Sequence, residues 1–283
     1  MASAAAASRK RKPQLSDVPE TMLWTLHSRA NEAMRANGVL TDPKAVEIYH
    51  SIDYDFARSF GRAEPTLALR AAAFDEALRS FLQDNPMCSI VNLGEGLETQ
   101  RYRVPAPGCR WYSIDLPEAM EVRERYITPD EDHTHIALSA SDPGWLDMIP
   151  RDRPIFISAQ GLFMYFDRAA VKTLLQDIAG TFNQCEMIFD VIPRWISRAS
   201  VLGRGLPRTL SYKTPPMPWG VNRFWLRPLL QSWLNRPLQV RLDNYPPFPR
   251  GPARLVNSVS SALPGLQHWS PTIVQLSLST EQG

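Results

Sequence analysis

Between residues 86 and 192, short apolar stretches rich in β-branched and aromatic residues alternate with stretches whose apolar positions recur every three or four residues, an order that leaves few folds open. Strands are predicted at 89–93, 111–114, 134–137, 154–159 and 187–192. Between the last two, Val171, Leu174, Leu175 and Ile178 share one face of a helix predicted over 167–182, which makes a βαβ crossover. Strands joined in this way lie parallel, with helices on both faces of the sheet. Residues 238–244 and 272–278 alternate in the strand manner and are expected to finish the sheet as an antiparallel pair.

Helices are predicted before the first strand. Leu23, Leu26, Ala30, Ala33 and Met34 recur at helical spacing over 17–40, with Gly38 as the expected C-cap. A second helix opens at Asp42-Pro43, since Asp caps well and Pro suits the first turn, and it carries Val46 and Tyr49. A third, over 65–83, presents Leu67, Phe74, Leu78, Phe81 and Leu82 on one face. Beyond residue 193 prolines become dense and Trp195, Trp219, Trp225 and Trp233 crowd one segment, which reads as a substrate-side insertion. The expected organisation is a disordered basic tail (1–16) and a single domain over 17–283. That domain divides into N-terminal helices (17–85), a cofactor-binding core (86–192), the insertion (193–236) and terminal strands (237–283).

Hydrophobic residues make up 44% of the 283, enough for one large packed core. A formal net charge of +2 gives no general attraction to polyanions, so nucleic acid is not an expected partner; Arg9, Lys10, Arg11 and Lys12 form a local exception in the tail. No stretch reaches the roughly 18 to 20 apolar residues of a membrane span, and the start has no long apolar leader, so no membrane is expected and the cytoplasm is the expected location. Cys88, Cys109 and Cys185 are widely spaced and read as reduced, mostly buried thiols. His133 and His135, among Asp130, Glu131 and Asp132, read as a solvated loop, and no metal site is expected.

The first strand runs into Val91-Asn92-Leu93-Gly94-Glu95-Gly96-Leu97, with two glycines where the backbone must turn and approach a ligand without Cβ atoms in the way. Asp115 follows at the tip of the second strand, where a carboxylate can accept both hydroxyls of a ribose. Thr99 stands where a dinucleotide fingerprint needs its third glycine, which argues against NAD or FAD. The competing reading is a plain strand-to-helix turn with a surface Asp nearby. The architecture expected is Rossmann-like α/β, a mainly parallel seven-stranded sheet with helices on both faces and an N-terminal helical cap.

Several separated stretches, in order, resemble the leucine carboxyl methyltransferase family, and most closely its bacterial branch of O-methyltransferases similar to those of tetracenomycin polyketide synthesis. They are Pro19-Glu20-Thr21, Ser28-Arg29-Ala30, Asp42-Pro43-Lys44-Ala45-Val46, Leu69-Arg70-Ala71 through Phe74-Asp75, Asn92 to Leu97 and Tyr102-Arg103, then Trp111-Tyr112-Ser113-Ile114-Asp115-Leu116-Pro117, Ala140 to Leu146, Gly161 to Phe166, Phe189-Asp190 and Trp219-Gly220. The resemblance implies a class I fold binding S-adenosylmethionine (SAM). It implies a cofactor set of Arg70 and Arg29 for the carboxylate, Gly94, Gly96, Asp115 and Leu116 around the nucleoside, Asp142 at the adenine edge and Gln160 at the end of the fourth strand. Asp142 also suits a helix N-cap before Pro143.

Two departures stand out. The family's Glu-Gly appears as Gln160-Gly161, and its Gly-Leu-Asp-Thr-Arg as Gly96-Leu97-Glu98-Thr99-Gln100. Both Gln residues keep hydrogen bonds and lose charge. Methyl transfer from SAM asks for alignment and exclusion of water rather than a protein nucleophile. Phe163, Tyr165, Trp195, Tyr212 and Trp219 are candidates for the acceptor pocket, with Tyr165 as the expected catalytic residue through its phenol. The leading expectation is a SAM-dependent O-methyltransferase of a small carboxylate or polyketide-type phenol. A methyltransferase of protein or peptide C-terminal carboxylates, a non-catalytic SAM-binding module motivated by Gln100 and Gln160, and, more distantly, a nicotinamide dehydrogenase are the alternatives.

Overall fold

The computed structural model describes residues 17–247 and 269–278; the basic tail over 1–16 lies outside them. Four helices precede the sheet: α1 (Asp17–Ala33), α2 (Pro43–Ser51), α3 (Phe56–Phe60) and α4 (Pro65–Asp84). Asp42 caps α2 by accepting from Ala45 N at 2.9 Å, as the Asp-Pro pair predicts. Sequence periodicity missed α3, which at five residues is too short to declare a face. α1 stops before Met34, which is 45% exposed, so Gly38 lies in the following turn rather than at the helix's C-cap.

The sheet contains β1 (Ser89–Leu93), β2 (Arg110–Asp115), β3 (His133–Ala137), β4 (Ile155–Ala159), β5 (Cys185–Val191), β6 (Leu238–Asn244) and β7 (Thr272–Leu278) in the order β3-β2-β1-β4-β5-β7-β6. The first five are parallel, whereas β7 runs antiparallel to β5 and to β6. Every residue of β1 and β4 is buried, which fits strands covered on both faces. Crossovers come from α5 (Gln100–Arg103), α6 (Pro117–Glu124), α7 (Arg168–Thr181), α8 (Arg194–Leu202) and α9 (Arg223–Leu234).

On one face α4 places Phe74, Leu78 and Phe81 against Ile90, Trp111, Phe156 and Ile188. On the other, Val171, Leu174 and Ile178 of α7 join Leu226 and Leu230 of α9 over Val91, Ile157, Met187 and Phe189. α9 packs on α7 and β6, and α8 and α9 both lie in the crossover between β5 and β6, so the irregular part of the predicted insertion is residues 203–222. Among the described residues no helix is long and apolar enough to cross a membrane.

One sequence reading needs correction. His133 is buried in β3, not solvated: its Nε2 lies 2.7 Å from Ser113 Oγ, and burial together with nearby Arg123 holds its pKa at about 3. The polar neighbours that suggested a loop are the turn leading into the strand. The cysteines are free and buried, as the sequence suggests; Cys88 and Cys109 immediately precede the paired strands β1 and β2, which brings their sulfurs within 3.3 Å.

Candidate functional site

β1 ends at Leu93, and the chain turns through Gly94 (φ 61°) and Gly96 (φ 50°), a left-handed conformation natural to glycine. A Cβ on Gly94 would meet Leu162 at 2.6 Å and one on Gly96 would meet Met22 of α1 at 2.8 Å, so the turn is too tight for side chains. Register sets Leu93 against Ile114, which brings the tip of β2 beside this turn. Asp115 Oδ2 then accepts from Gly96 N at 2.6 Å, and Oδ1 accepts from Leu116 N at 2.8 Å. Burial raises the Asp115 pKa, and these two backbone donors oppose the rise. The predicted pairing of glycine turn and carboxylate is present.

Arg123 of α6, unnoticed in the sequence, fastens the same turn from beneath. Its Nη1 donates to Gly96 O (2.7 Å) and Glu98 O (2.9 Å), and its Nη2 lies 3.0 Å from Glu95 Oε2.

Arg70 of α4 is buried rather than an exposed helix arginine. Its Nη1 lies 3.3 Å from Asp190 Oδ2 at the end of β5; Asp190 also accepts from Tyr245 Oη (2.6 Å) and Gly161 N (2.5 Å). Burial works against the guanidinium charge, and Asp190 outweighs it, so Arg70 stays charged. Arg70 Nε is buried without a partner. Gly161 (φ 69°) has no room for a Cβ, which would come within 2.6 Å of Arg70 Nη1.

Arg29 and Arg103 build a buried ionic network. Arg103 donates to Asp75 through Nε (2.7 Å) and Nη2 (2.9 Å), and through Nη1 to Asp42 (2.7 Å) and Glu98 (2.6 Å). Arg29 reaches Glu98 Oε2 at 3.1 Å and Leu97 O at 2.6 Å. Burial alone would raise the Glu98 pKa, but Arg103 and Arg29 together bring it down to about 2. Arg29 is absent from the described cavity wall; it acts on the cavity through Glu98, and its expected direct contact with cofactor is corrected accordingly.

The Gln departures now have a physical account. Gln160 Nε2 donates to Glu98 Oε2 at 3.4 Å, and Gln100 Nε2 to Asp75 Oδ1 at 3.2 Å. A carboxylate at 160 would sit beside Glu98 as a like charge. Relative to the family pattern, one anion (160) and one cation (100) are both gone, so local net charge is unchanged, and Arg103 supplies the fork on Asp75.

These clusters border one cavity of about 500 Å³. Its wall includes Gly94, Gly96, Glu98, Asp115 and Gln160, then Arg70, Gly161, Tyr165 and Tyr245, and further Trp24, Glu64, Met164, Ile192, Ile196, Arg208 and Met217. Tyr165 hydrogen-bonds Thr21 of α1, and burial pushes its phenol up to about 12. Leu116 and Asp142 are not on this wall. Asp142 Oδ1 accepts from Gly144 N at 2.9 Å and caps the 3₁₀ turn Pro143–Met148, the capping role its sequence also allowed.

Of the five aromatic candidates only Tyr165 lines the cavity. Phe163 and Trp219 are buried edge-to-face in the core, Tyr212 packs edge-on against Phe60, and Trp195 is exposed, donating to Trp269 O. Sequence reasoning instead missed Trp24, Ile192, Ile196 and Met217, which carry no motif, and gave no role to Met164, which lies in the Gly161 to Phe166 stretch. Among the described residues no group of three or more His, Cys, Asp or Glu could hold a metal ion.

Comparison with known proteins gives a consistent picture. The leucine carboxyl methyltransferase family pattern matches residues 2–179. The chain is 29% identical to the tetracenomycin polyketide synthesis O-methyltransferase TcmP of Streptomyces glaucescens over 71% of this chain and 81% of TcmP. It is 28% identical to the S-adenosyl-L-methionine-dependent methyltransferase dpfgK of Gibberella zeae, over 62% of this chain and 64% of the relative. Among solved structures, the plantazolicin methyltransferase BpumL in complex with SAH aligns with TM-score 0.50 and 13% identity, covering 92% of this chain and 98% of BpumL. The CurJ carbon methyltransferase aligns with TM-score 0.51 and 13% identity, covering 93% and 68%. These likenesses show the class I methyltransferase fold.

Proposed function

We propose that this chain, which belongs to the leucine carboxyl methyltransferase family, is an O-methyltransferase whose acceptor atom is a carboxylate oxygen of a compact molecule. Its cofactor is SAM. The residues fit that ligand: a side-chain-free turn at Gly94 and Gly96, the Asp115 carboxylate for a ribose, and the charged Arg70, with a buried unpartnered Nε, for an amino-acid carboxylate. Asp142 and Leu116 belong to the proposed adenine side, beyond the described cavity wall.

When bound, SAM supplies a methyl group already activated by its sulfonium. The chain's part is then to align the acceptor and keep water out. The apolar wall of Met164, Ile192, Ile196 and Met217 excludes water. The Tyr165 phenol, protonated up to about pH 12, donates a hydrogen bond that orients the acceptor.

One observation carries the choice of carboxylate. Each acidic group on the described wall is already engaged: Glu64 by Arg208, Glu95 by Arg123, Glu98 by Arg103 and Arg29, and Asp115 by two backbone N–H groups. Tyr165 keeps its proton throughout the physiological range. An acceptor that arrives ionised suits such a site, whereas a phenol with a pKa of about 10 needs a base. The polyketide-type phenol is the second reading, favoured by what TcmP is named for.

Methyl-labelled SAM incubated with a metabolite extract tests both. A carboxylate acceptor yields a methyl ester, so the expected label is released as methanol by mild alkali, and the rate is flat between about pH 6 and pH 9. Alkali-stable label, with a rate rising toward high pH, would establish the phenol instead. Bound SAM without any transfer would leave a non-catalytic module.

A further inference from the structure

One group of wall residues takes no part in the arrangements around Asp115 and Arg70. Trp24 of α1, Glu64 at the N-cap of α4 and Arg208 come from three distant stretches and meet at the cavity. The Arg208 guanidinium lies over the Trp24 ring, 4.6 Å from its centroid, and Arg208 Nη2 donates to Glu64 Oε1. The backbone fixes this residue too, since Arg208 N donates to Tyr212 O at 3.0 Å.

Two donors are left over. Arg208 Nε and Trp24 Nε1 are both shut away from solvent and have no hydrogen-bond partner. A buried donor left unsatisfied has given up water for nothing, which favours a ligand atom that completes it. Both belong to residues that border a cavity, whose wall also carries the buried apolar cluster of Met164, Ile192 and Met217, with Tyr165, Ile196 and Leu206 packed against it. Glu64 balances the Arg208 charge, which suits the pair to reading an oxygen lone pair more than to drawing in net charge.

We propose that Arg208 and Trp24 determine acceptor specificity by hydrogen-bonding an oxygen of the acceptor other than the one methylated. The substrate class is then a compact, largely apolar carboxylate that carries a second accepting oxygen, a carbonyl or another carboxylate. This rests on reading the cavity as the joint site of SAM and acceptor.

Three benzoates of similar shape test it: para-isopropylbenzoate, which has no second oxygen, para-acetylbenzoate and terephthalate. Their affinities are measured by calorimetry with S-adenosylhomocysteine saturating, on the wild type, Arg208→Met and Trp24→Phe. The wild type is expected to bind one or both of the oxygen-bearing probes about tenfold more tightly than para-isopropylbenzoate. Arg208→Met abolishes that preference and Trp24→Phe reduces it, while affinity for S-adenosylhomocysteine is unchanged in both. A gain with acetylbenzoate identifies a carbonyl, and a gain confined to terephthalate identifies an anion. No preference in the wild type, or an undiminished one in both variants, overturns the inference while leaving the cofactor site standing. Failure of the wild type to bind S-adenosylhomocysteine overturns the reading of the cavity itself.

Discussion

Asp115→Ala is expected to weaken S-adenosylhomocysteine binding by about two to four orders of magnitude, with the fold intact. A carboxylate accepting from two ribose hydroxyls makes two charge-assisted hydrogen bonds of about 1.5–3 kcal/mol each, and every 1.4 kcal/mol is tenfold in affinity. The same carboxylate holds the glycine turn through Gly96 N and faces Leu116 N on its other oxygen. Asp115→Asn should therefore fail to rescue, because an amide must turn its NH₂ toward one of those two donors. Calorimetric titration measures the loss, and circular dichroism checks the fold. Affinity within a few-fold of wild type would mean that this carboxylate grips no nucleoside.

Arg103→Met is expected to be the most destabilising change of a single side chain, by about 3–5 kcal/mol, since it strands buried carboxylates that had a partner. Asp75 and Asp42 would lose their shortest ion pairs, and Glu98 would keep only Arg29. Such a loss is a large share of a typical domain's 5–15 kcal/mol. Arg103→Lys should recover little, because one ammonium cannot serve Asp75 bidentately and reach Asp42 and Glu98 as well. Adding Glu98→Gln to Arg103→Met should restore part of the stability, as one stranded charge disappears. Urea midpoints measure all three. A shift worth under about 1 kcal/mol for Arg103→Met would show that the network is solvated and weak.

The two predictions fall on opposite sides of what sequence could convey. β1 and β2 were legible because short stretches rich in apolar, β-branched and aromatic residues, such as Ile90-Val91 and Trp111-Tyr112, suit buried parallel strands, and because a chain leaving such a strand toward a ligand needs glycine. The terminal pair β6 and β7 was legible by alternation. Asp115 was legible since strand and carboxylate are linked by local spacing alone.

Arg103 was not. Its three partners come from the loop before α2, from α4 and from the turn after β1, and no spacing rule connects those places. Arg29 misled for the related reason that a buried arginine can serve a carboxylate of the protein as readily as one of a ligand. The acceptor side was least legible. Aromatic residues drew attention, yet Phe163, Tyr212 and Trp219 went to the core, while the cavity took Ile192, Ile196 of the short helix α8, and Met217 from the irregular chain after it. His133 was hidden by its acidic approach, which is surface, whereas the histidine itself is strand.

A co-crystal structure with S-adenosylhomocysteine tests the central claim most directly. The ribose hydroxyls are expected on Asp115, the amino-acid carboxylate on Arg70, and open volume beside the sulfur bounded by Tyr165, Met164 and Met217. A ligand bound away from the turn at Gly94 and Gly96, or one that leaves Asp115 without a ribose contact, would contradict it.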